Sequence, residues 1–249
     1  MRHADRAPHR RRVSARLRPP GGATLDLDAA AELTRTGDLW LFRGRSGADR
    51  AIQNLTNAPV NHVGMAVVVD DLPPLLWHAE LGRALPDVWS GGRHRGVQLH
   101  DLRAAVLHWG HRYDQRTWLR QLSGPSDPAV TAEREDALLR TIARLDGTPF
   151  PSTARLAGRW LRGRLPLGGR PARTSSTADP TDPAGETAPV ESAYCAEVVA
   201  VTYEDMGLLP QRRRPSWYDP GRFWSGDDLR LCDGYALGGE IAVALPARP

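Results

Sequence analysis

The chain has 249 residues, 33 basic and 29 acidic, with a formal net charge of +4 and two cysteines. That length accommodates one domain or two small ones around a sizeable core, and two cysteines are too few for a disulfide scaffold. No stretch approaches the ~18–20 apolar residues of a membrane-spanning helix, and the N-terminus lacks the apolar segment of a secretory signal, so a cytoplasmic protein is expected.

Every basic residue is Arg, and residues 1–20 hold seven of them against one acid, Asp5. The rest of the chain carries 26 Arg against 28 acids and is close to neutral. Binding to nucleic acid or an anionic surface would therefore rest on this arm alone. Residues 1–22 show no apolar periodicity and read as a disordered arm.

The pattern then predicts a strand over 38–42 and a helix over 46–57, with Ser46 as N-cap and Ile52 and Leu55 on one face. A buried strand follows over 62–70, a turn over 71–74, and a second strand over 75–80. Shorter strands are expected at 96–100 and 105–109. Residues 129–145 form the clearest helix, with Leu138, Ile142 and Leu145 on one face, acids in the first turn and Arg140 and Arg144 toward the end. The segment 168–186 is rich in Pro, Thr, Ser, Ala and Asp, and is read as a flexible insertion at about 168–190 rather than a domain boundary. A helix after Cys195, over 197–208, and a terminal strand over 240–245 complete an α+β pattern: an antiparallel sheet packed with helices.

Cys195 directly precedes an apolar helical run (Val198, Val199, Val201) after a polar approach. A thiol at such an electropositive helix start would favour thiolate and act as a nucleophile. Cys232, in Leu231-Cys232-Asp233, has an acid beside it and no helix start after it. His62 opens the strand 62–70 and shares a face with Gly64, Ala66 and Val68, a small-residue face onto which the Cys195 helix could pack. A base needs a third group to orient it; His78 and Glu80 share a face of the next strand, and electrostatics favours the carboxylate.

No cofactor motif stands out. The segment Gly91-Gly92-Arg93-His94-Arg95-Gly96 lacks the ending of a phosphate loop, and His108 and His111 have no Cys pair or carboxylate at ligand spacing, so no metal is expected.

Taken in order, the pieces Gly37-Asp38-Leu39-Trp40-Leu41-Phe42, Ile52-Gln53-Asn54-Leu55-Thr56, Asn61-His62-Val63-Gly64-Met65, Leu76-Trp77-His78-Ala79, Gly96-Val97-Gln98-Leu99 and Tyr194-Cys195-Ala196-Glu197-Val198-Val199 resemble the circularly permuted papain-like branch of the NlpC/P60 superfamily, the YiiX/YaeF-type amidase-like proteins. This group is related to the lecithin:retinol acyltransferase-like proteins. Trp217-Tyr218-Asp219-Pro220 resembles its C-terminal part. The resemblance implies one permuted papain-like domain over 23–249, with Cys195 as nucleophile and His62 as base. The third position aligns with His78, with Glu80 in reserve. It implies a cysteine-dependent hydrolase or acyltransferase cleaving an amide or ester through a thioester, with an acyl, peptide or lipid substrate. Two other readings stand beside it: a non-catalytic binding module on the same fold, and an Arg-arm binder of nucleic acid or anionic surfaces.

Overall fold

The structure is a computed structural model, and it describes residues 24–44, 59–69, 72–149, 188–227, 229–232 and 234–248. The arm at 1–22, the helix expected over 46–57 and nearly all of the insertion lie outside those residues.

Strand β1 (Thr24–Asp26) leads into α1 (Leu27–Leu33), which Asp26 caps by accepting from the Ala29 amide at 2.8 Å. Then come β2 (Leu39–Arg43), β3 (His62–Val67), β4 (Leu75–Glu80), β5 (Gly96–Asp101) and α2 (Leu102–Tyr113). After them lie β6 (Arg116–Ser123), α3 (Ala132–Leu145), α4 (Ala188–Asp205), three short 3-10 turns, and β7 (Ala236–Ala244). The seven strands form one sheet in the order β1-β7-β6-β2-β3-β4-β5, antiparallel except for the β1–β7 pair. The fold class is thus mixed α+β.

Strand alternation divides the core in two. Leu39, Leu41, Val63, Met65 and Trp77 point to the face covered by α3 and α4, while Trp40, Phe42, Ala66 and Leu76 point to the face covered by α1 and α2. Helix α4 lies along β3 and β4. The buried Trp77 indole N–H donates to Thr202 Oγ1 of α4 at 3.0 Å, fixing that contact for about 1 kcal/mol.

Three expectations change. Residues 105–109 are helical, not extended. Asp101 caps α2 by accepting from the Ala104 amide at 2.7 Å, and Leu102, Ala105, Val106 and Trp109 are buried at helical spacing. Helix α4 starts at Ala188, well before the expected 197, and takes in the last three residues assigned to the insertion. Strand β6 has no counterpart among the sequence expectations, and a charge sits in its middle. Arg120 is nevertheless buried, donating from Nε to Gly238 O and from Nη1 to Phe223 O, both at 2.6 Å.

Candidate active site: a file of buried histidines

Strands β3, β4 and β5 are neighbours, and their α2-facing positions carry His62, then His78 and Glu80, then Gln98 and His100. All five are buried, none more than 2% exposed. His62 Nε2 lies 3.0 Å from His78 Nδ1, His78 Nε2 lies 3.0 Å from His100 Nδ1, and His100 Nε2 lies 3.1 Å from Gln98 Oε1. Gly64 makes the first of these contacts possible. The β3–β4 register, continued one step, sets His78 beside Gly64, and a Cβ there would stand 3.2 Å from His78 Cβ and 2.7 Å from Leu76 Cδ1. The small-residue face beside His62 is therefore filled by side chains of β4, and not by the helix bearing Cys195.

The file has a direction. Gln98 Nε2 faces the carbonyls of Glu80 and Gly96 at 3.4 and 3.5 Å, which turns its Oε1 toward His100. His100 Nε2–H must then donate to Gln98, leaving its Nδ1 to accept from His78 Nε2–H. His78 Nδ1 in turn accepts from His62 Nε2–H. That assignment leaves a lone pair on His62 Nδ1, which is buried and has no hydrogen-bond partner among the described residues.

Burial keeps the file neutral. It lowers the His62 pKa to about 3 and the His100 pKa to about 4. His78 is pushed well below its ordinary value by burial first, and then by its two histidine neighbours. Trp109 of α2 closes the file from above, its ring stacked on His62 with centroids 3.9 Å apart and planes at 27°.

Glu80 does not contact His62. Its Oε2 lies 3.6 Å from His100 Nδ1 and 4.0 Å from His78 Nε2. Burial raises its pKa to about 7; the nearby Trp109 indole offsets part of this without reaching hydrogen-bond geometry. Of the two residues weighed for the position next to His62, His78 occupies it.

Cys195 is placed otherwise than expected. It is the eighth residue of α4 rather than its start, and a helix end exerts its field only over the first turn. It is fully buried and belongs to the core cluster of the opposite sheet face, with Val63, Met65 and Trp77. The histidine file and Cys195 are thus held by different faces of β3, and His62 Nδ1 makes no hydrogen bond to the thiol. Neither Cys195 nor Cys232 is in a disulfide, and Cys232 is partly exposed.

His100, Gln98 and Trp109 join the site without a motif that marks them in the sequence. The first two were within reach: once the 75–80 and 96–100 strands are paired antiparallel, Gln98 falls opposite His78 and His100 opposite Leu76. Trp109 was hidden by reading its helix as a strand.

A second polar cluster joins the loop before β5 to the end of α3, where Asp87 and His94 approach Asp146. Asp87 there serves the backbone, accepting from Ser90 N at 2.7 Å and from Leu99 N at 2.8 Å. The glycine-rich run 91–96 is part of this turn.

No family model matches the chain, and no curated protein matches it. Among solved structures, the chain is similar to the metalloprotein YiiX of Escherichia coli O157:H7 at 19% identity and a TM-score of 0.38, over 69% of this chain and 66% of that one. No helix among the described residues is long and apolar enough to cross a membrane.

Proposed function

We propose that this chain is a hydrolase or acyltransferase acting on an amide or ester bond, with His62 as its base and His78 as the residue that orients that base. The observation that carries the reading is the bare, buried Nδ1 of His62 at the end of a one-directional hydrogen-bond file. A neutral imidazole whose Nε2–H is engaged can take a proton only at Nδ1. His78, backed by His100 and Gln98, holds that tautomer as the third member of a triad does. The substrate class is an acyl, peptide or lipid compound, and the domain is a single permuted papain-like unit over 23–249.

Two routes follow from such a base. In the one implied by the sequence resemblance, Cys195 loses its proton to His62 Nδ1 and attacks the carbonyl. The amine or alcohol then leaves with that proton, and water or another acceptor resolves the thioester. In the other, His62 activates the attacking water directly, with no covalent intermediate. The seating of Cys195 in the opposite core cluster favours the second.

Turnover of an activated ester tests both. His62→Ala is expected to lower it ~10²–10⁴-fold, the worth of a positioned base; unchanged turnover overturns the proposal. Cys195→Ala separates the routes. Loss of turnover, with an acyl adduct on Cys195 in the wild type seen by peptide mass spectrometry, establishes the thioester. Retained turnover establishes direct attack by water.

A further inference from the structure

We propose that His78 Nε2, His100 Nδ1 and the Glu80 carboxylate form a binding site for a divalent transition-metal ion, of the two-histidine, one-carboxylate kind suited to Zn2+. The three ligand atoms stand 3.0 Å (His78–His100), 3.6 Å (His100–Glu80) and 4.0 Å (His78–Glu80) apart. A triangle with those sides has its centre about 2.1 Å from each corner, the length of a Zn–N or Zn–O bond, so the three atoms are spaced to share one ion, which a small side-chain adjustment lifts out of their plane into a tetrahedral site.

Three further observations point the same way. Both Glu80 oxygens are buried with no hydrogen-bond partner among the described residues, an arrangement that leaves a carboxylate aimed at two imidazoles and no cation. Each ligating histidine has its other ring nitrogen tied: His100 Nε2–H to Gln98 Oε1, and His78 Nδ1 to His62 Nε2. Partners of that kind orient a metal-bound imidazole and raise its basicity. Finally, the ligands come from adjacent strands of a sheet, a rigid frame that fixes their spacing. Three protein ligands leave a fourth tetrahedral position for water or substrate.

Metal would also reverse the file. With both His78 Nε2 and His100 Nδ1 on the ion, the His78 proton must move to Nδ1 and donate to His62 Nε2. The His62 proton is thereby displaced to Nδ1, so all three rings stay neutral while the bare lone pair disappears. This consequence, unlike the site itself, rests on the reading of His62 as a base: the ion would inhibit that activity.

The test is equilibrium titration of the full-length protein with Zn2+ against a chromophoric chelator, repeated with Co2+ to read coordination from the visible spectrum. One equivalent and a tetrahedral Co2+ spectrum are expected. Both should be lost in His100→Ala and in Glu80→Gln, and kept in His94→Ala, which disables the Asp87–His94–Asp146 cluster instead. Gln98→Ala removes no ligand and is expected to weaken binding ~10–100-fold, which keeps the proposal testable if a ligand variant fails to fold. No bound equivalent, binding lost with His94→Ala alone, or binding indifferent to His100, Glu80 and Gln98 overturns the site. Bound Zn2+ that leaves ester turnover unchanged upholds the site and overturns only its effect on His62.

Discussion

The two faces of the sheet solve the problem of burial in opposite ways. Toward α3 and α4, strands β2 to β5 present Leu41, Val63, Met65, Trp77 and Leu99, and polar groups buried there are paired, the Trp77 indole with Thr202 and the Tyr203 hydroxyl with the Gly37 carbonyl. Toward α2, the same strands set His62, His78, Glu80, Gln98 and His100 beside the apolar Trp40, Phe42, Ala66 and Leu76, all equally buried. An apolar face gains from every side chain removed from water, whereas a buried polar face is tolerated only where each group finds a partner. The histidine file meets that demand along its length and fails it at two points, His62 Nδ1 and the Glu80 carboxylate. Those two points are where a proton and a cation have been assigned above. One face is built for stability; the other leaves groups unpaired where the proposed base and the proposed cation site lie.

Paired substitutions, one on each face, break the comparison most directly. Removing the His78 ring should leave His62 free to rotate and lower ester turnover by up to ~10⁴-fold, the cost of losing an orienting triad member. Glu80→Gln, which does not touch His62, should change turnover within a few-fold. Met65→Ala on the opposite face should lower unfolding free energy by about 2–5 kcal/mol through the cavity it leaves, with turnover retained at temperatures where the variant is folded. Stability would be read by urea denaturation and turnover by ester hydrolysis. If Met65→Ala abolished turnover in folded protein while His78→Ala did not, the division between faces would be wrong.

The apolar face was the legible one. Alternation in 62–67 and 75–80 announces two buried strands, and β2 and β5 follow from the same rule. His62 and His78 could be named because each opens or punctuates an apolar run. The extension to His100 and Gln98 needs strand pairing, and the direction of the file needs the two carbonyls that turn the Gln98 amide; neither is a property of spacing. Trp109 was lost because Ala105, Val106 and Leu107 read as a short strand until the Asp101 cap is recognised. The placement of Cys195 was hidden for a different reason. Its residue type and apolar sequel predict a buried helix correctly, but not which face of the sheet the helix covers, nor that the helix begins two turns earlier.

Acid should act on the polar face first. His62 and His100 titrate near 6.5 when unfolded, but at about 3 and about 4 when folded. Between those values the unfolded chain binds more protons, so the stability they contribute is complete above pH 6.5 and is lost as pH falls toward 4. Each contributes a slope of up to about 1.4 kcal/mol per pH unit. Glu80 has the opposite sign. Its folded pKa is raised from 4.5 to about 7, so its contribution is present below pH 4.5 and disappears as pH rises through 7. The histidines outnumber it, so melting temperature should fall from pH 6.5 to 4.5, and Glu80→Gln should steepen that fall. A melting temperature flat across this range would mean that the file is hydrated rather than sealed.

The thiol on the apolar face should be as sealed as its surroundings. Cys195 has no exposed surface, and Cys232 is partly exposed. Alkylation requires contact between the sulfur and the reagent, and a thiol closed inside a packed cluster reacts only when the structure opens locally. In native protein, iodoacetamide should therefore modify Cys232 first, with Cys195 following at a rate that rises with added urea and equals that of Cys232 once the chain unfolds. Peptide mass spectrometry over a time course reads both sites in one sample. The opposite order at neutral pH, with Cys195 modified ahead of Cys232 and Met65→Ala leaving the order unchanged, would mean that the sulfur reaches solvent without the apolar face opening. The thiol would then belong functionally with the histidines, and the thioester route would displace direct attack by water.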